Sequence, residues 1–316
     1  MKKLCVVVVM VLVCASSAFG GVNEDLLKAA KDKDTTPQMI KNLIKFGADV
    51  NTRDSSGSTV LMIAAVSNRN PEIAQTLLKA GADVNAQDYY DTTALMCAIF
   101  NNNDIEVIKV LLNAGANVNA KSNDGSTALT LATISSNFEV IKALINAGAD
   151  VNAKTNNGWT ALMGVAGNTN SNPEVIKILL NAGANVNTQN NDGSTALMVA
   201  AEKNSNAEVI KALINAGADV NAKNNGGMTA LMLGALRNSN PEEVIQALID
   251  AGADVNAKEM KGSTALMIMA AGNNAKVVNF LLNAGADIFL KDNKGRTVLD
   301  YIYDDSIKKI ILNAAR

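Results

Sequence analysis

The chain has 316 residues, with 28 basic and 30 acidic side chains and a formal net charge of −2. Such a nearly neutral chain has no broad attraction to phosphate backbones, which excludes nucleic acid as a partner class. The sequence contains no histidine, which removes the commonest general base, the usual catalytic triads and the usual zinc ligands. We therefore expect no enzymatic activity, no cofactor and no metal.

Residues 1–20 have the pattern of a secretory signal peptide. Two lysines precede an unbroken apolar run from Leu4 to Val13, and mostly small residues follow it as far as Gly20. Cleavage is expected between Ala18 and Gly20. The run is short for a membrane span, so a retained anchor is the weaker alternative, as is a lipid attached at Cys14. The absence of an Asn-x-Ser/Thr site favours a bacterial route, so we expect export to the periplasm or the medium.

The rest of the chain repeats with a period of 33–35 residues. One motif, Gly-Ala-Asp/Asn-Val-Asn, begins at Gly47, Gly81, Gly115, Gly148, Gly183, Gly217 and Gly252, with a variant at Gly285. A second motif, Thr-Ala/Val-Leu-Met, begins at Thr59, Thr93, Thr160, Thr195, Thr229 and Thr264. A period in this range is typical of stacked-repeat proteins rather than of one globular domain.

Each repeat carries two apolar segments with helical spacing, as in residues 127–134 and 138–147. Prolines at 71, 173 and 241 indicate the starts of second helices, and the motif glycines indicate their ends. Asparagines between the segments, such as Asn137, are interpreted as left-handed residues that end the first helix. The links contain Asn-Asp-Gly and Asn-Gly turns, which predict hairpin-like loops.

These features resemble the ankyrin-repeat family, whose first helix opens with Thr-Pro-Leu-His-x-Ala. The stretch Thr195 to Ala200 keeps the threonine, leucine and alanine, but has alanine for proline and methionine for histidine. The resemblance implies an all-α repeat solenoid, an ankyrin-type stack of helix-turn-helix units with short β-hairpin-like loops. It would span residues 23–316, with about seven full repeats between incomplete capping units. The family histidine joins loop hydrogen bonds, so we expect packing to hold the loops where methionine replaces it.

The same resemblance implies binding of another protein through a concave surface of hairpin tips and first helices. The candidate binding residues are Tyr89, Tyr90, Phe100, Ile134, Trp159, Met228, Leu236 and Arg237. The first five come from consecutive repeats and are expected to form one patch, the alternative being that they fill gaps between repeats. The protein is thus expected to be an exported, monomeric scaffold that does not insert into a membrane after signal cleavage. The alternative is an inhibitor or protective partner of a single envelope or host enzyme.

Two further features have alternative interpretations. A row of polar side chains occupies one position per repeat: Arg53, Gln87, Lys121, Lys154, Gln189, Lys223, Lys258 and Lys291. It is either a basic surface for an acidic partner or, as nearby acidic residues favour, an ordinary solvated surface. Cys97 lies within a first helix, where a small buried core residue is favoured over a reactive thiol.

Overall fold

The computed structural model describes residues 21–314, apart from residues 103, 136, 170–171, 205, 238–240 and 273. The predicted signal peptide lies outside these residues. The chain divides between Asp150 and Val151 into two compact units. Each unit is built from successive pairs of antiparallel helices, a first and a second helix in every repeat.

In the first unit the pairs are Val22–Lys31 with Pro37–Lys45, Val60–Ser67 with Pro71–Lys79, Ala94–Cys97 with Ile105–Asn113, and Ala128–Ser135 with Phe138–Asn146. The third pair departs from the others, because its first helix continues as a π-helical turn over Ala98–Asn102. First helices pack on first helices and second helices on second helices. The expected all-α repeat architecture is therefore confirmed.

The second unit continues the pattern with Ala161–Gly167 and Pro173–Asn181, Ala196–Lys203 and Ala207–Asn215, Ala230–Arg237 and Pro241–Asp250, and Ala265–Ala271 and Ala275–Asn283. It ends in a 3₁₀ turn, Val298–Tyr301, and a helix, Asp305–Ala314. The structure describes no β-strand in residues 21–314 outside the gaps named above, only isolated bridges that join Arg53 to Thr59 and Gln87 to Thr93.

Threonine, asparagine and glycine define the helix ends. The Thr195 hydroxyl accepts a hydrogen bond from the Met198 amide at 3.3 Å, so the repeated threonine is the N-cap of the first helix. Asn206 caps the second helix by accepting from the Glu208 amide at 3.0 Å. Its backbone is extended, so the interpretation of these turn asparagines as left-handed residues is wrong. The left-handed residue is Gly217, with φ of 84°, after the second helix.

The core of each repeat lies between its two helices and those of its neighbours. Leu197 and Met198 of the threonine motif are inaccessible to solvent, and so are Ile210 and Leu213 of the following helix. Burial of one such side chain contributes roughly 1.5–3 kcal/mol. Met198 stands where the family pattern has histidine, and its burial shows that this position now belongs to the apolar core.

The last repeat is closed by a polar cluster around Asp292, whose carboxylate is 2% exposed. The Tyr301 hydroxyl donates to this carboxylate at 2.7 Å, and Nε of Arg296 donates to it at 2.8 Å. The Arg296 guanidinium also lies 4.6 Å from the centre of the Tyr301 ring. The Tyr301 hydrogen bond, followed by those from Arg296 and the Lys294 amide, holds the pKa of Asp292 well below its ordinary range, although burial opposes this.

Acid is expected to loosen this cluster. A carboxyl whose pKa is lowered by folding contributes stability that is complete above its ordinary pKa of about 3.9 and is lost as the pH falls below it. Amide exchange of residues 292–301, corrected for its intrinsic pH dependence, should therefore rise between about pH 5 and pH 2. Asp292→Asn should show that loss of protection already at neutral pH. Equal protection of the variant and the wild type at neutral pH would contradict the assigned role of the carboxylate.

Candidate protein-binding surface

An asparagine in most links joins one repeat to the next. The Asn187 side chain donates to the Gly217 carbonyl at 2.9 Å and accepts from the Asp219 amide at 2.8 Å. The same pair of bonds is made by Asn51, Asn85, Asn119, Asn152, Asn221 and Asn256. Hydrogen bonds therefore tie these loops together, so the expectation that packing holds them is wrong.

The row of basic and glutamine side chains makes a second set of ties. The Lys223 ammonium donates to the carbonyl of Lys258 at 2.9 Å, and the Lys258 ammonium donates to the carbonyl of Lys291 at 2.8 Å. Gln189 donates to the carbonyl of Lys223 at 3.3 Å, so glutamine performs the same task without a charge. Arg53, Gln87 and Lys154 make the same kind of bond to the next repeat. These exposed side chains therefore also help to join the repeats, and whether the row binds an acidic partner stays a prediction.

Glutamine should therefore keep the stabilising role of lysine in this row, whereas alanine, which has no side-chain donor, should lose it. Lys223→Ala is expected to lower the free energy of unfolding by about 0.5–1.5 kcal/mol, the net value of one hydrogen bond. Lys223→Gln should change it by less than about 0.5 kcal/mol, because the amide can still donate to the Lys258 carbonyl. Urea denaturation of both variants measures the difference. Equal losses for the two variants would show that the charge matters, not the hydrogen bond.

Tyr89 and Tyr90 lie at a hairpin tip of the first unit and are 70% and 66% exposed. The Tyr89 ring covers Gly57 of the preceding hairpin so closely that a Cβ there would lie 2.8 Å from the ring. The hairpin also carries Asp91, which has a φ of 56° and is the one non-glycine residue with positive φ in the part of the chain that the structure describes. Tyr89 thus combines packing against its neighbour with an exposed face.

Phe100 and Tyr90 are brought together at one cavity of about 310 Å³ in the first unit, which we call the apolar notch. Met96, Cys97 and Leu131 also line it. Phe100 lies on the π-helical turn and is 64% exposed. Ile134 is equally exposed on the last turn of the next first helix, but it does not line this cavity.

The other candidates belong to the second unit. Trp159 is half-buried, and the Lys203 ammonium lies 5.5 Å from the centre of its indole ring. Met228 is half-buried in a hairpin, whereas Leu236 is exposed at the end of a first helix. Arg237 is exposed but forms an ion pair with Glu202 of the preceding repeat. The expectation of one patch across the repeats from Tyr89 to Trp159 stays a prediction.

Cys97 is only partly buried, and it is one of the residues that line the apolar notch. Burial, and then the charge of Asp88, raises the pKa of the thiol to about 12. A thiol with such a pKa is almost entirely protonated at neutral pH and is a poor nucleophile. The structure therefore corrects the expected full burial, while the chemistry of the site still favours a packing role.

A family model of three ankyrin repeats matches residues 26–122, 101–190 and 162–259, and a model of many ankyrin repeats matches residues 248–302. The chain belongs to the ankyrin-repeat family. A comparison with curated proteins gives no match. Ankyrin repeats generally mediate protein–protein interactions, and ankyrin-repeat proteins are typically scaffolds without catalytic activity.

Two further observations concern what the ankyrin repeats could bind. Among the residues that the structure describes, no three His, Cys, Asp or Glu side chains are grouped so that they could hold a metal ion. Within the same residues, no helix combines the length and hydrophobicity that a bilayer span requires.

Several exposed apolar side chains of the ankyrin repeats fall outside the predicted set, among them Met260 and Phe289. Met260 occupies the hairpin position that Tyr89 holds in its own repeat, and it is 69% exposed. Phe289, which is 72% exposed, stands where the other repeats carry the bridging asparagine. That exchange of asparagine for an aromatic residue is the signal that sequence reasoning could have used.

Proposed function

We propose that this ankyrin-repeat protein is an exported scaffold that binds another protein through its hairpins and first helices. Residues 1–20 would be removed as a signal peptide, and residues 23–316 would act as a monomeric ankyrin-repeat domain. The candidate contacts remain Tyr89, Tyr90, Phe100, Ile134, Trp159, Met228, Leu236 and Arg237. No catalysis, cofactor or nucleic acid is part of this proposal.

The distribution of exposed apolar side chains carries this proposal. Between Val60 and Asn283, the large apolar side chains that are described as exposed all lie on hairpins or first helices: Val66, Tyr89, Tyr90, Phe100, Ile134, Leu236 and Met260. The second helices instead present exposed ion pairs, such as Lys109 with Glu106 at 2.8 Å and Lys211 with Glu208 at 2.9 Å. Large aromatic residues are enriched among those that dominate binding energy, whereas exposed ion pairs contribute little.

Site-specific photocrosslinking tests the proposal. A photoreactive phenylalanine at position 90 should crosslink one protein partner in the exported fraction of the cell, because that side chain faces the proposed interface. The same residue at position 109, on a second helix, is the matched control and should give no such product. A product that forms equally at both positions, or only at 109, would contradict binding through the hairpin face.

A further inference from the structure

A second cleft in the first unit gathers positive charge. It has a volume of about 760 Å³ and is lined by Lys31, Lys33 and Arg69, together with neutral residues and no carboxylate. Lys31 ends one first helix, Lys33 follows it, and Arg69 follows the next first helix, so the fold brings together cations that are far apart in the chain. We call this site the basic cleft.

The cations of the basic cleft are exposed and form no ion pair with a described carboxylate, although the charge of Lys31 helps to lower the pKa of Asp54. Within the described residues, no carboxylate oxygen lies within 4.0 Å of the Lys31, Lys33 or Arg69 nitrogens. Asp32 and Asp34 alternate with the lysines in sequence but do not line the cleft. The site is therefore locally positive in a chain whose net charge is −2.

The basic cleft adjoins the apolar notch. Asn101 lines both sites, and it lies on the same π-helical turn as Phe100, which lines the notch. A smaller depression links them as well, because it shares Lys31 and Val66 with the basic cleft and Cys97 with the notch. The two sites thus form one groove with a charged end and an apolar end. Irregular π-helical turns of this kind often occur at functional sites.

The notch has one acidic lining residue, Asp124, against the three cations of the basic cleft. The carboxylate of Asp124 accepts hydrogen bonds from the hydroxyls of Ser122 and Ser126, at 2.6 and 2.8 Å, and from the Ser126 amide at 3.1 Å. These bonds lower the pKa of Asp124 and already use both of its oxygens. Asp124 is therefore ionised, but the linings of the two sites still carry three cations against this one carboxylate. This positive balance favours an acidic rather than a basic occupant.

We propose that this groove binds an extended segment of a partner protein that carries carboxylates beside a large apolar side chain. The carboxylates lie in the basic cleft, where lysine and arginine give charge-assisted hydrogen bonds. The apolar side chain fills the notch, which at about 310 Å³ exceeds the roughly 150 Å³ cavity that holds a benzene ring. This inference rests on the proposed function, because it assigns the partner's chemistry to the same hairpin and first-helix face.

A selection of random linear peptides on the immobilised full chain tests the inference. The selected peptides should be enriched in Asp or Glu close to Phe, Trp or Leu. A synthetic representative should lose at least about tenfold in affinity for the charge-reversed variant K31E/K33E/R69E, as expected when paired charges become repulsive. Phe100→Ala should weaken the same peptide by a similar factor, because it removes a wall of the notch.

The matched control is K41E/K45E/K79E, which reverses three charges on second helices of the same unit. It changes the net charge equally, and Lys45 and Lys79 occupy last helical turns as Lys31 does. The control should bind the peptide as the wild type does, and circular dichroism should show both variants folded. Equal losses in the two variants would overturn the inference, because only the overall charge would then matter.

Other results separate this inference from the function on which it rests. Selected peptides that lack acidic residues, yet lose binding in Phe100→Ala, would overturn the acidic specificity and leave binding at this face intact. Peptides that are insensitive to both the basic-cleft variant and Phe100→Ala would contradict the inference and the proposed face together. A failure to select any peptide would overturn the inference, while the photocrosslinking result would still decide the proposed function.

Discussion

Gly262→Ala is expected to lower the free energy of unfolding by about 2–4 kcal/mol. Gly262 has φ of 83°, and a Cβ built on it would lie 2.7 Å from the backbone nitrogen of Asn293 in the next hairpin. That nitrogen donates to the Lys261 carbonyl at 3.0 Å, and the Asn293 side chain donates to the Met260 carbonyl at 2.9 Å. A methyl group would push the two hairpins apart and weaken both bonds.

Gly285→Ala is the matched control for this prediction. Gly285 has φ of 86°, so an alanine at 285 and one at 262 carry the same strain from a left-handed backbone. At Gly285, however, nothing lies within 4 Å of an added Cβ. Its cost should be about 1–2 kcal/mol, the backbone penalty alone. Chemical denaturation of the two variants isolates the contact between hairpins. Equal losses at the two positions would show that the hairpins do not depend on this close approach.

Trp159→Ala is expected to weaken partner binding by about 2 kcal/mol or more, roughly thirtyfold, while the fold remains intact. The indole is half-buried and is the only tryptophan in the sequence. It lies on a hairpin, where a large aromatic surface can enter an interface at little conformational cost. Titration calorimetry with the photocrosslinked partner, once purified, measures the change.

The Lys203 ammonium above the Trp159 ring offers a control for packing. Lys203→Ala removes the cation–π contact, worth roughly 0.5–1 kcal/mol at an exposed site, but leaves the indole in place. Its effect on partner affinity should therefore be much smaller than that of Trp159→Ala. If Trp159→Ala instead unfolds the protein, and its folded fraction keeps full affinity, then the tryptophan fills a gap between repeats and does not bind.

The local features of each repeat could be predicted from the sequence. Residues such as Thr195, Pro173 and Gly217 determine backbone conformation within a few residues, because they cap, open or end a helix. The periodic recurrence of these signals then predicts the stack. Asn206 was misinterpreted because asparagine suits both a left-handed residue and an N-cap, and the sequence alone does not distinguish them.

Features that depend on contacts between repeats could not be predicted. The bond from Lys223 to the Lys258 carbonyl joins residues 35 positions apart, and its acceptor is a backbone atom with no signature in the sequence. The π-helical turn at Phe100 likewise interrupts a helix whose apolar pattern continues. The basic cleft combines Lys33 with Arg69, which are distant in sequence, so their proximity appears only in the folded unit.

The central claim is that the hairpins and first helices contact the partner. Hydrogen–deuterium exchange of the complex tests this claim most directly. In the first unit, binding should slow exchange in the hairpin at residues 87–93 and at the end of the first helix near Phe100. The second helix, Ile105–Asn113, should be unchanged. Protection confined to the second helices, with hairpin amides exchanging as in the free protein, would contradict the account.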